Sequence, residues 1–217
     1  VGLDFIRSLR FADQMDDIRK NISAKYIVGK DKLHYANNGV LREAQCRESN
    51  EKLSLLSIAR KEVAGGFPLT IAGEGAALAV SLGAHPNLCQ VREFFLGPSF
   101  IYVIMDWVSG GDLYDRVVQA HQDQGRVQVV QCRRVMLQLA NAMRHMHSQQ
   151  VVHSDIRMEN TCVMNPAEPL ASCDLKVLFT FSCLRKNTPG NKIPEQRGYP
   201  THSSPEMLLD DAFDSST

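Results

Sequence analysis

The sequence predicts an α+β fold in two lobes, an antiparallel β-sheet with one helix followed by a mainly helical half. Three observations predict it. Between residues 26 and 61, short apolar runs are punctuated by turn residues, and Asn37-Asn38-Gly39 gives a tight-turn signal because these residues tolerate positive φ. From Val129 to Met146, the residues Cys132, Val135, Met136, Leu139, Ala142, Met143 and Met146 step by three and four, the period of an amphipathic helix. Directly after it, the stretch from Val151 to Met164 sets a polar turn, with His153, Asp155, Arg157 and Asn160, between two apolar anchors.

Composition narrows the class. A chain of 217 residues is long enough for one or two real cores. Lys and Arg number 24 and Asp and Glu also 24, and this zero balance argues against a nucleic-acid partner or an anionic membrane surface. No apolar run reaches the length of a membrane span. The six cysteines are scattered without a C-x-x-C pair, which points to reduced thiols in a cytoplasmic protein. His145 and His147, two apart on a helix, point to different faces and chelate poorly, so both are read as ordinary helix residues. The chain starts at Val1, and a further upstream piece is expected.

In chain order, residues 1–25 mix Phe5, Ile6, Leu9, Phe11, Met15 and Ile18 with charges, as an amphipathic extension packed on the first lobe would. Residues 26–108 form that lobe. Tyr26-Ile-Val-Gly29, Val40–Cys46 and Leu53–Ala59 read as strands, a helix is expected near 74–82, and Val91–Phe95 and Phe100–Trp107 are further strands split by Gly97-Pro98. Residues 109–217 form the second lobe: Ser109-Gly-Gly-Asp-Leu113 as a flexible link, the long helix, the polar turn, a strand at Leu175–Phe179 and a polar loop from Cys183 to Arg197.

Taken together, the hairpin-like sheet, His85-Pro-Asn-Leu88, Ile104-Met-Asp-Trp107, Ser109-Gly-Gly-Asp-Leu113, the long helix, H-S-D-I-R-M-E-N at 153–160 and Ser204-Pro-Glu-Met-Leu208 resemble the protein kinase domain of Ser/Thr type, nearest the calcium/calmodulin-dependent group. The resemblance runs from about Tyr26 to Leu209 and stops after the activation segment, so the chain is expected to be a fragment or a truncated product. It implies a protein substrate or protein partner and, in an active enzyme, ATP and Mg2+. Asp155 stands where the base for the acceptor hydroxyl belongs, Arg157 where a lysine contacts the transferred phosphate, and Asn160 where a metal ligand belongs. The implied nucleotide pocket takes in Gly39, Leu41, Leu55, Ser57, Met105, Asp106, Val108, Asp112 and Cys162.

The same resemblance marks departures. Only Gly39 of three phosphate-loop glycines is kept, with His34 and Ala36 at the others. Ser57 takes the place of the phosphate-binding lysine, which Lys61 could fill only by a slip of register, and Leu55 takes that of a small adenine-roofing alanine. Gly75 takes the place of the lysine's glutamate, and the metal-binding D-F-G falls on Phe179-Thr-Phe or Thr180-Phe-Ser, with Phe181 expected against His153. Ser154 replaces the arginine that would meet a phosphate at Thr188 or Thr201. These losses favour a pseudokinase acting as a binding, allosteric or scaffold module. The alternative is an active ATP-dependent Ser/Thr kinase using Asp155 and Asn160.

Overall fold

The computed structural model describes residues 15–31, 34–36, 39–59, 69–97, 99–187, 202 and 205. Asn37, Asn38, Lys61, Pro98, Thr188 and Thr201, and most of the segments 1–14, 60–68 and 188–217, lie outside that set. The first lobe opens with α1 (Met15–Lys25), which runs into β1 (Tyr26–Val28). Then come β2 (His34–Ala36), β3 (Gly39–Cys46), β4 (Lys52–Ala59), α2 (Leu69–Ser81), β5 (Val91–Leu96) and β6 (Phe100–Asp106). The strands form one antiparallel sheet in the order β1-β3-β4-β6-β5, with β2 also paired to β3.

The sheet is apolar on both faces because both are covered. On the outer face Ile18 and Ile22, one helical turn apart on α1, pack with Tyr26, Ala44, Leu53, Leu55 and Ile104. On the inner face Leu56, Ile58, Ile101, Val103 and Met105 pack with Ala72, Ala76, Ala79 and Leu82 of α2 and its end. This is why β4 reads as an unbroken apolar run in place of a clean alternation. The helix expected near 74–82 starts earlier, at Leu69. Its alanines at spacings of four and three let its backbone lie close to the sheet.

Below α2 the turn at His85-Pro-Asn-Leu88 fastens the sheet lobe to the helical one. The Asn87 amide donates to Gln138 Oε1 at 2.8 Å and to the Leu175 carbonyl at 3.1 Å. Val177 N–H donates to the Asn87 carbonyl, and Cys89 N–H to the Val177 carbonyl, both at 2.9 Å. His145 stacks on His85 with ring centroids 4.7 Å apart and places Nε2 2.9 Å from the Leu82 carbonyl. Its role is thus structural.

The second lobe holds α3 (Leu113–Gln124), α4 (Val129–Ser148), β7 (Val151–Val152), a 3-10 turn at Met158–Asn160, β8 (Thr161–Val163), β9 (Leu175–Val177) and β10 (Arg185–Lys186). Helix α3 was not apparent in the sequence, although its ends are marked: Asp112 caps it by accepting from Asp115 N–H at 2.9 Å, and Gly125 ends it at φ +71°. The link before it is anchored, not loose. Gly110 N–H donates to the Val163 carbonyl at 3.0 Å, so close that a Cβ on Gly110 would fall 2.1 Å from that oxygen. In α4 the buried stripe is Gln131, Val135, Gln138, Ala142 and Met146, while Cys132 and Met136, expected inside, are exposed. The glutamines turn inward because they have partners there. Gln131 accepts from Gln128 N–H, and Gln138 from Asn87 and from Leu175 N–H. All six cysteines are free, and no described helix is long and apolar enough to cross a membrane.

Candidate functional site

The polar turn at 153–160 lies where the two lobes meet, held by β7, which pairs with β10, and by β8, which pairs with β9. His153 is fully buried. Its Nε2 lies 2.9 Å from the Leu178 carbonyl, and Asp155 N–H donates to its Nδ1 at 3.3 Å. A carbonyl only accepts, so Nε2 carries the proton and the ring is neutral, in keeping with burial pushing its pKa down. Ser154 sits at φ +59°, a left-handed turn that swings Asp155 inward.

Asp155 and Asn160 come together, and a third residue joins them. Asp155 Oδ2 accepts from Asn160 Nδ2 at 2.8 Å and from the Thr180 hydroxyl at 2.5 Å. Asn160 Nδ2 also reaches the Asp155 carbonyl at 3.0 Å and Thr180 Oγ1 at 3.2 Å. All three are buried. Arg157 Nε lies 3.5 Å from Asp155 Oδ1, an ion-pair distance too long for a good hydrogen bond, and among the described residues no hydrogen bond reaches that oxygen. Thr180 therefore stands where the metal-binding aspartate was sought. The signal for it was the F-T-F-S string itself, but sequence alone left two registers open. The aromatic order differs from expectation. Phe179, not Phe181, faces the His153 ring at 5.9 Å between centroids, and Phe181 packs next to Phe179 at 6.3 Å.

The upper wall is the inner face of the sheet, and here the structure corrects the sequence reading. Leu55 belongs to the outer cluster under α1, and Ser57, two residues on, shares its face. Ser57 donates its hydroxyl to the Val40 carbonyl at 3.2 Å. Neither faces the cleft. The inward residues of β4 are Ser54, Leu56 and Ile58, opposite Met105, Val103 and Ile101 of β6. Leu41, paired with Leu56, packs against this cluster, and Gly39 lies on it so closely that a Cβ there would sit 2.8 Å from Leu56 Cδ1. Leu56, opposite Leu41, thus stands on the inward face where the sequence reading put Ser57. The shift by one position is the cause, because a one-residue slip exchanges the faces of a strand.

Gly75 meets the segment after β9. A Cβ at Gly75 would lie 1.7 Å from the Phe181 carbonyl oxygen, so this approach admits glycine alone. From Phe179 to Leu184 every residue is buried, and Cys183 N–H closes a turn onto the Thr180 carbonyl at 2.8 Å. A glutamate at position 75 has no room in this arrangement.

The linker residues are engaged within the fold. Asp106 Oδ2 accepts from Lys176 Nζ at 2.8 Å and from Gln90 N–H at 3.2 Å, and Oδ1 from Arg92 at 3.0 Å. Lys176 also donates to the Leu88 carbonyl at 3.0 Å, tying the end of β6 to β9. Met105 is buried in the inner cluster and Val108 packs at its edge. Asp112, besides capping α3, bridges to Cys162, whose thiol is pushed up to about 12, first by burial and then by the Asp112 carboxylate. Among the described residues no group of three or more His, Cys, Asp or Glu is arranged to hold a metal.

An antiparallel sheet with one inner helix, joined by a short linker to a helical lobe that offers an aspartate and an asparagine at the junction, defines a two-lobed, kinase-like domain. The family model for the protein kinase domain matches residues 35–217, and the chain belongs to that family. It is similar to three Arabidopsis thaliana proteins. Serine/threonine-protein kinase SRK2I is 32% identical over 131 residues, 60% of this chain and 34% of the relative. Serine/threonine-protein kinase SRK2E is 28% identical over 194 residues, 88% of the chain and 49% of the relative. Calcium-dependent protein kinase 10 is 26% identical over 215 residues, 96% of the chain and 37% of the relative. The chain thus spans about a third to a half of the length of these relatives.

Proposed function

We propose that this is a catalytically impaired protein-kinase domain, a pseudokinase that works by binding a protein partner as an allosteric or scaffold module. The observation that carries the reading is the fit of Gly75 against the Phe181 carbonyl, with no space for the glutamate that would hold a phosphate-binding lysine. Leu56 and Ile58 on the inner face of β4 agree with it, since neither can neutralise phosphate charge. Thr180 agrees as well. Around Asp155 it leaves one carboxylate, an amide and a hydroxyl, a poor set for a Mg2+ ion bound to a triphosphate. We therefore do not fit ATP and Mg2+ to this cleft. Within the proposal Asp155 and Asn160 act as scaffold, bonded to each other and to Thr180, and Arg157 balances their charge. The nucleotide-pocket roles of Leu55 and Ser57 fall away, while Gly39, Leu41, Met105, Asp106, Val108, Asp112 and Cys162 frame the cleft. The scattered cysteines, all free, support a cytoplasmic setting.

A second reading, weak phosphoryl transfer to a protein substrate, has one observation in its favour: among the described residues Asp155 Oδ1 accepts no hydrogen bond, which leaves it open to a hydroxyl. One experiment separates the two. Thermal unfolding is followed with Mg-ATP titrated in, alongside a phosphate-transfer assay on wild type and Asp155→Asn. The pseudokinase reading expects no saturable stabilisation and no transfer above the Asp155→Asn background. Stabilisation together with Asp155-dependent transfer establishes the second reading.

A further inference from the structure

Arg116, near the start of α3, is half-buried and carries a charge that the described residues do not pair. Its Nη1 donates to Gln119 Oε1 at 3.2 Å and its Nη2 to the Glu168 carbonyl at 2.6 Å, both neutral acceptors. Its Nε is buried without a hydrogen-bond partner. A guanidinium drawn out of water in this way is ordinarily met by an anion.

The guanidinium lines a cavity of about 250 Å3 between α3, the first turn of α4 and the turn at 166–170. Gln131 lines the same cavity and is only 4% exposed. Its Oε1 accepts from Gln128 N–H at 2.6 Å. A backbone N–H only donates, so the atom it meets is the oxygen, and the amide NH2 is turned the other way. Among the described residues that NH2 donates to nothing. Two donor groups without acceptors, one of them charged, therefore share one concave space. Asp123 lines it too, seven residues beyond Arg116 on α3 and about 10 Å further along the helix axis. Its carboxylate is exposed and no cation among the described residues pairs with it. Ala120 and Leu170, both buried, supply apolar wall.

We propose that this cavity binds the C-terminal residue of a peptide partner that ends in lysine or arginine. The terminal carboxylate accepts from Arg116 and from the Gln131 amide, the aliphatic stem lies along Ala120 and Leu170, and the cation meets Asp123. The wall chemistry selects this occupant. Phosphate would bring two negative charges towards the carboxylates of Asp123 and Glu168, whereas a basic side chain is drawn to them. A free amino acid would set its α-ammonium beside Arg116, whereas in a peptide that nitrogen is a neutral amide. This inference does not depend on whether the cleft binds nucleotide.

The test uses the full 217-residue chain. Acetyl-Gly-Ala-Lys with a free C-terminus is titrated in while the side-chain amide signal of Gln131 is followed by NMR. Saturable shifts of that signal are expected, with a Kd of about 1 mM or below. The C-terminal amide of the same peptide, and the peptide with norleucine in place of lysine, each bind about tenfold more weakly. Gln131→Glu keeps an acceptor for Gln128 N–H and puts a carboxylate where the free donor stood. Read by calorimetry, it weakens the acid peptide about tenfold while the unfolding midpoint stays in place. Asp123→Asn, on an exposed side chain, weakens the lysine peptide and leaves the norleucine peptide unchanged. No saturable shift at Gln131, equal binding of acid and amide, or binding indifferent to Gln131→Glu overturns the proposal. Free lysine binding as tightly as the peptide overturns the peptide assignment in favour of the amino acid, and saturation by inorganic phosphate overturns the choice of a carboxylate.

Discussion

The two walls of the interlobe cleft have diverged to different degrees. The lower wall, from His153 to Asn160, keeps His153, Asp155 and Asn160 of the kinase loop, and each is used by the fold: His153 binds the Leu178 carbonyl, and Asp155 and Asn160 bind each other and Thr180. The upper wall keeps almost none. Its inner face is Leu41, Leu56, Ile58 and Met105, with Gly75 pressed on the Phe181 backbone. Side chains whose removal would strand buried hydrogen-bond partners persist, because an unsatisfied buried group is costly. In the pseudokinase reading, side chains whose main work is to meet a phosphate have no such tie and give way to packing.

Breaking that contrast should be hardest at Gly75. Gly75→Glu must push α2 off the 179–184 segment, at a cost of about 3 kcal/mol or more, measured by urea unfolding. A variant of wild-type stability would show that α2 has room to move. Thr180→Val removes the hydroxyl that donates to Asp155 Oδ2 and leaves the Asn160 amide there, and a loss of about 1–2 kcal/mol is expected. If Thr180→Asp instead gained Mg2+-dependent stability, the lower wall would be a latent metal site and the contrast would sharpen further. Lys176→Met should cost about 1 kcal/mol, because Arg92 still faces Asp106 and the pair is partly solvated.

The smallest effect is with pH. Burial lowers the pKa of His85, aided by His145, Lys176 and Arg144, and burial also lowers that of His153. A histidine whose folded pKa is depressed stabilises the fold fully above its unfolded value near 6.5 and less as pH falls through the folded value. Unfolding free energy should therefore drop as pH falls below about 6.5. His85→Asn, which can still accept from Asn87 N–H, should flatten part of that slope.

Much of this was legible in the sequence, for identifiable reasons. The order of His85-Pro-Asn-Leu88, Ser109-Gly-Gly-Asp-Leu113 and the 153–160 turn placed both lobes, because turn residues and polar loops have few alternatives. The facing of β4 was not legible. In Lys52–Ala59 both faces are apolar, so hydrophobic pattern could not choose a register, and the cover by α1 that explains it lies outside the strand. Mixed charge hides helix α3 in the sequence, and the glutamines of α4 turn inward without an apolar signal, because their partners lie on other elements. Thr180 acquires meaning only from Asp155, which lies 25 residues away in sequence.

The account rests on the upper wall being filled by its own side chains. Methyl NMR of the full chain, with Met105 and Ile58 assigned, reads that wall directly as millimolar Mg-ATP is added. The account predicts that both methyl signals stay in place while the nucleotide remains free. Saturable shifts at Met105 and Ile58 would contradict it, by placing a nucleotide against Leu56.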